Sequence, residues 1–278
     1  MNSCREGMDE MRETNSGRIR VGIGGWAFEE WDKSFYPEKL SKKRQLEYAS
    51  SKLTSIEINS TYYGPQKPTT FAKWHDETPD DFVFSLKAPR FSTNRRVLAE
   101  AGESIEKFVT GGLLELKDKL GVINWQFMGT KKFDPADFEA FLKLLPKRVD
   151  GRDLRHAVEV RHDSFNSPDF IALLREYGVA VVIAGDSKFV EIADMTAPFA
   201  YLRIMGTQEG QKLGYSEADL DHWAERAKEI AVGHVPDSLK TITPPLPDNV
   251  ARDVYLYVIS GHKAHNPQAA MALIDRLK

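Results

Sequence analysis

The chain has 278 residues, an ordinary length for one β/α barrel. Its 38 basic and 41 acidic side chains leave a net charge of −3, which argues against a wholesale nucleic-acid binder and leaves a local basic patch open. With one cysteine, Cys4, no membrane-length apolar run and no signal-peptide core, the expectation is a soluble cytoplasmic protein without intrachain disulfides or a cysteine-based zinc site.

Residues 1–17 are polar, lack periodicity and are expected as a loose tail. Residues 18–24 (RIRVGIG) read as a first strand stopped by Gly24-Gly25. An aromatic loop follows, with Trp26, Phe28, Trp31, Phe35 and Tyr36, which either packs over a core edge or walls a ligand pocket. Helical spacing at Leu46, Ala49 and Leu53 leads into a second strand over 54–59. Alternation there sets Ile56 and Ile58 against Ser55, Glu57 and Asn59.

A helix with Phe71 and Trp74 precedes the third strand, 82–87 (FVFSLK). Ile105, Phe108, Val109, Leu113 and Leu116 form a helical stripe before the fourth strand, 121–127 (GVINWQF). Asp134-Pro135 and Ser167-Pro168 are cap-plus-proline starts, and they bracket the fifth strand, 155–160 (RHAVEV). Gly178 stops the second of these helices before the sixth strand, 179–184 (VAVVIA), with Asp186 just beyond.

The seventh strand is 200–205 (AYLRIM). Ser216 then caps a long helix, and proline-rich residues 233–252 read as a loop or insertion. The eighth strand is 253–259 (DVYLYVI), and Asn266 is expected to cap the last helix. Eight strands alternating with helices specify α/β architecture, a single eight-stranded parallel (β/α)8 TIM barrel over 18–278. No dinucleotide fingerprint, phosphate loop or nucleophile elbow is present.

In such a barrel the working face lies at the strands' C-terminal ends. The polar phase then converges Glu57, Glu159 and Asp186 with Lys87, Arg161 and Arg203, three acidic against three basic groups. That set fits a polar, anionic small-molecule substrate, with Arg and Lys holding the anion and a carboxylate as general acid or base. A fully paired network filling the interior would give the same pattern. Glu57, Glu159 and Asp186 are the candidate catalytic residues. Trp26, Asn59, Tyr62, Lys87, Arg90, Gln126, Arg161, Arg203, Gly261 and His262 are the candidate substrate-binding residues. Gly206, Gly261, Lys263 and the last helix N-terminus also suit a phosphate.

No metal is assigned: the three cations compete with one, and His162, His262 and His265 lack ligand spacing. Arg95-Arg96 beside Arg90 form a basic cluster of the kind usually found on a solvated face.

Several of these segments together resemble the YecE-like family, a domain of unknown function. The carriers are Gly24-Gly25-Trp26, Phe35-Tyr36-Pro37, residues 57–63 (EINSTYY) and Lys87-Ala88-Pro89-Arg90. Leu120-Gly121, residues 159–162 (EVRH), Tyr201-Leu202-Arg203, Tyr215-Ser216 and Trp223-Ala224 follow in order. The resemblance runs from about Ile19 to Leu277 and implies a TIM barrel, with no settled reaction or cofactor. Relative to the family pattern, histidines are missing at Asn94 and Met205, Gln126 is followed by Phe127-Met128-Gly129, and an asparagine pair is missing around Ser260-Gly261.

An enzyme acting on a small polar or anionic, phosphorylated or sugar-like substrate is therefore the leading expectation. A metal-dependent phosphodiesterase on nucleic acid and a non-catalytic ligand-binding barrel are the alternatives. No membrane partner is expected.

Overall fold

Each alternating apolar run forms a strand, and all eight join one closed parallel sheet. The strands are β1 (Ile19–Gly24), β2 (Ser55–Ile58), β3 (Val83–Lys87) and β4 (Leu120–Gln126), followed by β5 (Arg155–Glu159), β6 (Ala180–Gly185), β7 (Phe199–Ile204) and β8 (Asp253–Val258). Pairing runs β1-β8-β7-β6-β5-β4-β3-β2 and closes between β2 and β1. The structure is a computed structural model that describes residues 16–247 and 250–278. The expected tail therefore lies outside the described residues except for Ser16 and Gly17. Gly17 is packed: its N–H donates to the Ala231 carbonyl at 2.8 Å, and a Cβ there would meet the Arg252 oxygen at 1.9 Å.

Seven helices of eight or more residues surround the sheet among the described residues. They are α1 (Gln45–Lys52), α2 (Pro68–Asp76), α3 (Gly102–Val109), α4 (Pro135–Leu144), α5 (Pro168–Tyr177), α6 (Glu217–Ala231) and α7 (Asn266–Arg276). The starts at α4, α5 and α6 are capped as expected. Asp134 accepts from Ala136 and Asp137, Ser167 from Asp169, and Ser216 from Asp219. Asn266 does not cap α7. Its Oδ1 accepts from the Thr207 hydroxyl at 2.8 Å, tying the helix to the loop after β7. The apolar stripe at 105–116 divides into α3 and a 3-10 stretch, Leu113–Lys119. Gly112 makes the break with φ of 109°, packed so close to Pro68 that a Cβ would lie 2.7 Å from that ring.

The two strand faces build two cores, because neighbouring side chains leave a strand in opposite directions. Ile56, Ile58, Phe84, Leu86, Trp125 and Leu202 pack outward against the helices. Val83, Val122, Ala157, Val182, Tyr201 and Tyr257 fill the barrel. Within it, the Tyr257 hydroxyl lies 2.6 Å from Ser55 Oγ and 2.7 Å from Ser85 Oγ. This bonded polar layer closes the barrel beneath its C-terminal mouth.

One β/α unit lacks its helix: Gly185 connects to Phe199 without one. The proline-rich segment, irregular as expected, packs on that connection. Buried Asp194 accepts from the N–H of Ile242 and of Thr243 at 2.7 and 2.9 Å and from the Thr243 hydroxyl at 2.5 Å. The N–H of Ala193 donates to the Lys240 carbonyl at 2.8 Å, and Leu239 is buried.

Candidate functional site

Four strands deliver charge to the same end of the barrel: Glu57 from β2, Lys87 from β3, Glu159 with the following Arg161 from β5, and Arg203 from β7. Parallel register levels them. Gly24 pairs with Glu57, Lys87 with Asn124, Gln126 with Glu159, and Ala184 with Arg203. Gly24 leaves room for the Asn59 amide, whose Nδ2 would lie 2.7 Å from a Cβ there.

Arg203 lies between the two buried glutamates. Its Nη2 is 3.0 Å from Glu57 Oε1, and its Nη1 donates to Glu159 Oε2. Glu57 Oε2 also accepts from the Tyr201 hydroxyl at 2.6 Å and from Asn124 Nδ2 at 3.4 Å. Glu159 Oε1 takes Arg161 Nε at 2.8 Å and Nη2 at 2.6 Å. Two carboxylates thus face two guanidinium groups, each pair compensating the other's burial.

Lys87 is the charge left over. Among the described residues its ammonium makes no hydrogen bond or ion pair, and it lies 4.4 Å from the centre of the Tyr62 ring. The single-turn helix Ser60–Tyr63 is held to β3 by the Thr61 hydroxyl, which donates to the Lys87 carbonyl at 2.7 Å and keeps that ring in place.

The electrostatics follow from burial and neighbours. Burial and the Arg203 guanidinium push the Lys87 ammonium down to about 8, against the opposing pull of Glu57 and Glu159. Burial would raise the Glu159 carboxyl, but Arg203 and Arg161 together hold it below the usual carboxylate range. Burial and the Glu57 carboxylate drive the Tyr201 phenol well above its ordinary value, so it stays a donor. Burial works against the charge on Arg203, yet Glu159 and Glu57 raise it above its ordinary value and keep it ionised.

Above this network opens a cavity of about 480 Å³. Asn59, Tyr62, Lys87, Gln126, Arg161 and Arg203 line it, all of them expected there: Tyr62 as a wall beyond the second strand, the others from the strand phase. Glu57 and Glu159 lie beneath, buried and fully engaged. The remaining candidates are elsewhere. The Trp26 ring packs on Trp74 at 5.2 Å and Phe84 at 6.4 Å, in the layer between sheet and helices. Arg90 is exposed, with its guanidinium 5.4 Å from the Phe91 ring. Asp186 has φ of 51° and accepts from Trp223 Nε1 at 2.7 Å, so it orients an indole of α6 and not the mouth cations. Gly261 (φ 59°) packs on Thr207, whose hydroxyl would lie 2.4 Å from a Cβ. His262 donates its N–H to the Thr207 carbonyl and turns its ring onto His265.

Phe28, Trp31, Tyr63, Ser260, Lys263 and Asn266 also line the cavity. Trp31 Nε1 donates to the Lys263 carbonyl at 2.7 Å, joining the loop after β1 to the loop after β8. The aromatic run at 26–36 signalled such a wall. Strand alternation does not extend into a loop, so it could not choose Phe28 and Trp31 over Trp26. Of the family departures at Asn94, Met205, Phe127-Met128-Gly129 and Ser260-Gly261, Ser260 reaches the cavity. Among the described residues no group of three or more His, Cys, Asp or Glu side chains is arranged to hold a metal ion.

Fold and mouth define an eight-stranded β/α barrel with a buried ion network and a cation-lined cavity at its C-terminal end. The chain belongs to the family described as "Protein of unknown function DUF72", which matches residues 20–278. It is 28% identical over 150 residues to the UPF0759 protein YecE of Escherichia coli K12, covering 53% of this chain and 50% of the relative. It is 27% identical over 158 residues to the UPF0759 protein YunF of Bacillus subtilis 168, covering 55% and 54%. The chain thus matches about half the length of these curated relatives. The crystal structure of a DUF72 family protein from Thermotoga maritima superposes with a TM-score of 0.73 at 23% identity, covering 94% of this chain and 99% of the other. One from Enterococcus faecalis gives 0.69 at 18%, covering 93% and 95%. Both have the same fold, and the TIM-barrel expectation is borne out.

Proposed function

We propose that the barrel mouth is the active site of an enzyme for a small polar anion, whose reacting group lies against the Lys87 nitrogen. One observation carries this reading: Lys87 is a part-buried ammonium in a cavity, beside two guanidinium groups and without an ion-pair partner among the described residues. A fold keeps an uncompensated charge at such a place at the expense of stability, and that is the usual signature of function. Arg161 and Lys263 supply further positive charge to the same cavity.

In this proposal the acid/base role moves from Glu57 and Glu159 to Lys87. Both glutamates are engaged by guanidinium groups, and Glu159 is held ionised, which suits a frame for Arg203 better than a proton donor. Lys87 changes protonation close to neutrality, where proton transfer is most effective. Asp186 is given no catalytic part, since it serves Trp223. A metal-dependent phosphodiesterase has less support, because Arg203 fills the space between the two carboxylates that would have to share a cation. Cytoplasmic residence belongs to the same proposal. Among the described residues no helix is long and apolar enough to cross a membrane.

Thermal unfolding with added inorganic phosphate and with pyruvate tests the reading. An anion present at about 100 times its Kd stabilises the native state by about 2.7 kcal/mol. Either anion should raise Tm, and Arg161→Gln should reduce the shift by at least half. Equal shifts in wild type and variant, or no shift with either anion, would remove the mouth as an anion site.

A further inference from the structure

We propose that Lys87 is a covalent amine: its Nζ forms an imine with the carbonyl carbon of a small oxo-acid whose carboxylate is held by Arg161 and Lys263. The inference rests on the anion-binding reading above and adds the substrate class.

The geometry separates Lys87 from lysines that serve as fixed charges. Buried Lys119 gives its ammonium to the carbonyls of His75 and Thr78 at 2.6 and 2.8 Å. Lys131 pairs with Asp137 at 3.0 Å. Such partners hold a proton in place. Lys87 has none among the described residues: the face of Tyr62 lies 4.4 Å away, and burial with the nearby Arg203 and Arg161 outweighs the pull of Glu57 and Glu159. A lysine desolvated beside another cation becomes a nucleophile near neutral pH. Its depressed proton affinity, about 8, agrees with that environment.

The carboxylate subsite is in the same cavity. Arg161 commits Nε and Nη2 to Glu159, and its Nη1 makes no hydrogen bond among the described residues. The Lys263 ammonium likewise makes none, standing 5.4 Å from the Phe28 ring. Two free donors in one cavity with an amine that loses its proton near pH 8 suit a molecule with an anionic end and an electrophilic carbon.

The step balances without any oxidant or reductant. The amine lone pair attacks the carbonyl carbon and the C–O π bond breaks. The C–N σ bond forms in that attack; the remaining C–O bond then breaks as the C=N π bond forms, and both amine hydrogens leave with the oxygen as water.

Borohydride trapping of the full chain tests this, with glyoxylate and pyruvate as probes and intact mass plus peptide mapping as readouts. The expected result is one reduced adduct per chain, mapped to Lys87, with the trapping rate half-maximal near pH 8 and competed by inorganic phosphate. Lys87→Arg, folded by circular dichroism, should give no adduct at that site. Adducts spread over surface lysines would overturn the inference. So would an unmodified Lys87 in a protein that pyruvate still stabilises, in which case the anion site stands without covalent chemistry. Absence of both adduct and stabilisation would overturn the two readings together.

Discussion

Lys87 holds a proton in the folded chain against burial and against Arg203, and the cost has a calculable pH dependence. Its folded value is about 8 and its ordinary value 10.5. Below pH 8 both folded and unfolded chains carry the proton, and the native state bears the full penalty. Between the two values the native state releases its proton first. The unfolded state then binds more protons, so stability rises with pH. Above 10.5 neither state is charged and the penalty is gone. The two values correspond to about 3 kcal/mol, an upper figure because the cavity is open to solvent. Lys87→Met should therefore be more stable than wild type at pH 7 by about 1–3 kcal/mol in urea. That advantage should shrink across pH 8 to 10.5, while anion binding is lost throughout. A difference that stays flat across the window would mark Lys87 as an ordinary solvated ammonium.

At the scale of elements, the connections decide more than the strands. The unit between β6 and β7 has no helix, and Asp194 carries that section by accepting three hydrogen bonds from Ile242 and Thr243. Removing a buried acceptor leaves its donors unsatisfied at about 1–3 kcal/mol. Asp194→Ala should lower Tm accordingly and speed limited proteolysis within 236–247, with the barrel's circular dichroism retained. If cleavage there is no faster, the segment is anchored by Leu239 and the Ala193–Lys240 bond alone. The loops also explain which site residues were legible. Glu57, Lys87, Gln126, Arg161 and Arg203 lie on or next to strands, where a period of two assigns the inward face. Trp26, Arg90, Gly261 and His262 follow the strand ends, where no period applies. Asp186 is one residue past β6 in a left-handed conformation, which turns its side chain toward Trp223 on α6.

For the whole molecule, closure is the critical event. β1 and β2 complete the ring, and at Gly22 the strands approach so closely that a Cβ would lie 2.0 Å from the Ser55 carbonyl oxygen. No rotamer relieves a clash with backbone. Gly22→Ala should cost more than about 4 kcal/mol, an exceptional value for one methyl group. It should also abolish the cooperative unfolding transition at 37 °C or shift it far down. A fall in Tm of only a few degrees would mean that the barrel opens between β1 and β2 without losing its core. The ion network belongs to this scale as well, since Arg203 of β7 reaches Glu57 of β2 and Glu159 of β5 across the interior.

Local pattern was enough for the eight strands, the inward faces of β2, β3, β4, β5 and β7, the capped starts of α4, α5 and α6 and the family. Each of these depends on residues a few positions apart, through alternation, helical spacing or a capping hydrogen bond. Tertiary structure alone decided which charges pair. Six charges in sequence balance three against three, but Asp186 turns away to α6, and the two remaining carboxylates are taken by Arg161 and Arg203. One cation is thereby left over. That Lys87 is that cation follows from distances across a closed barrel, which no sequence spacing contains.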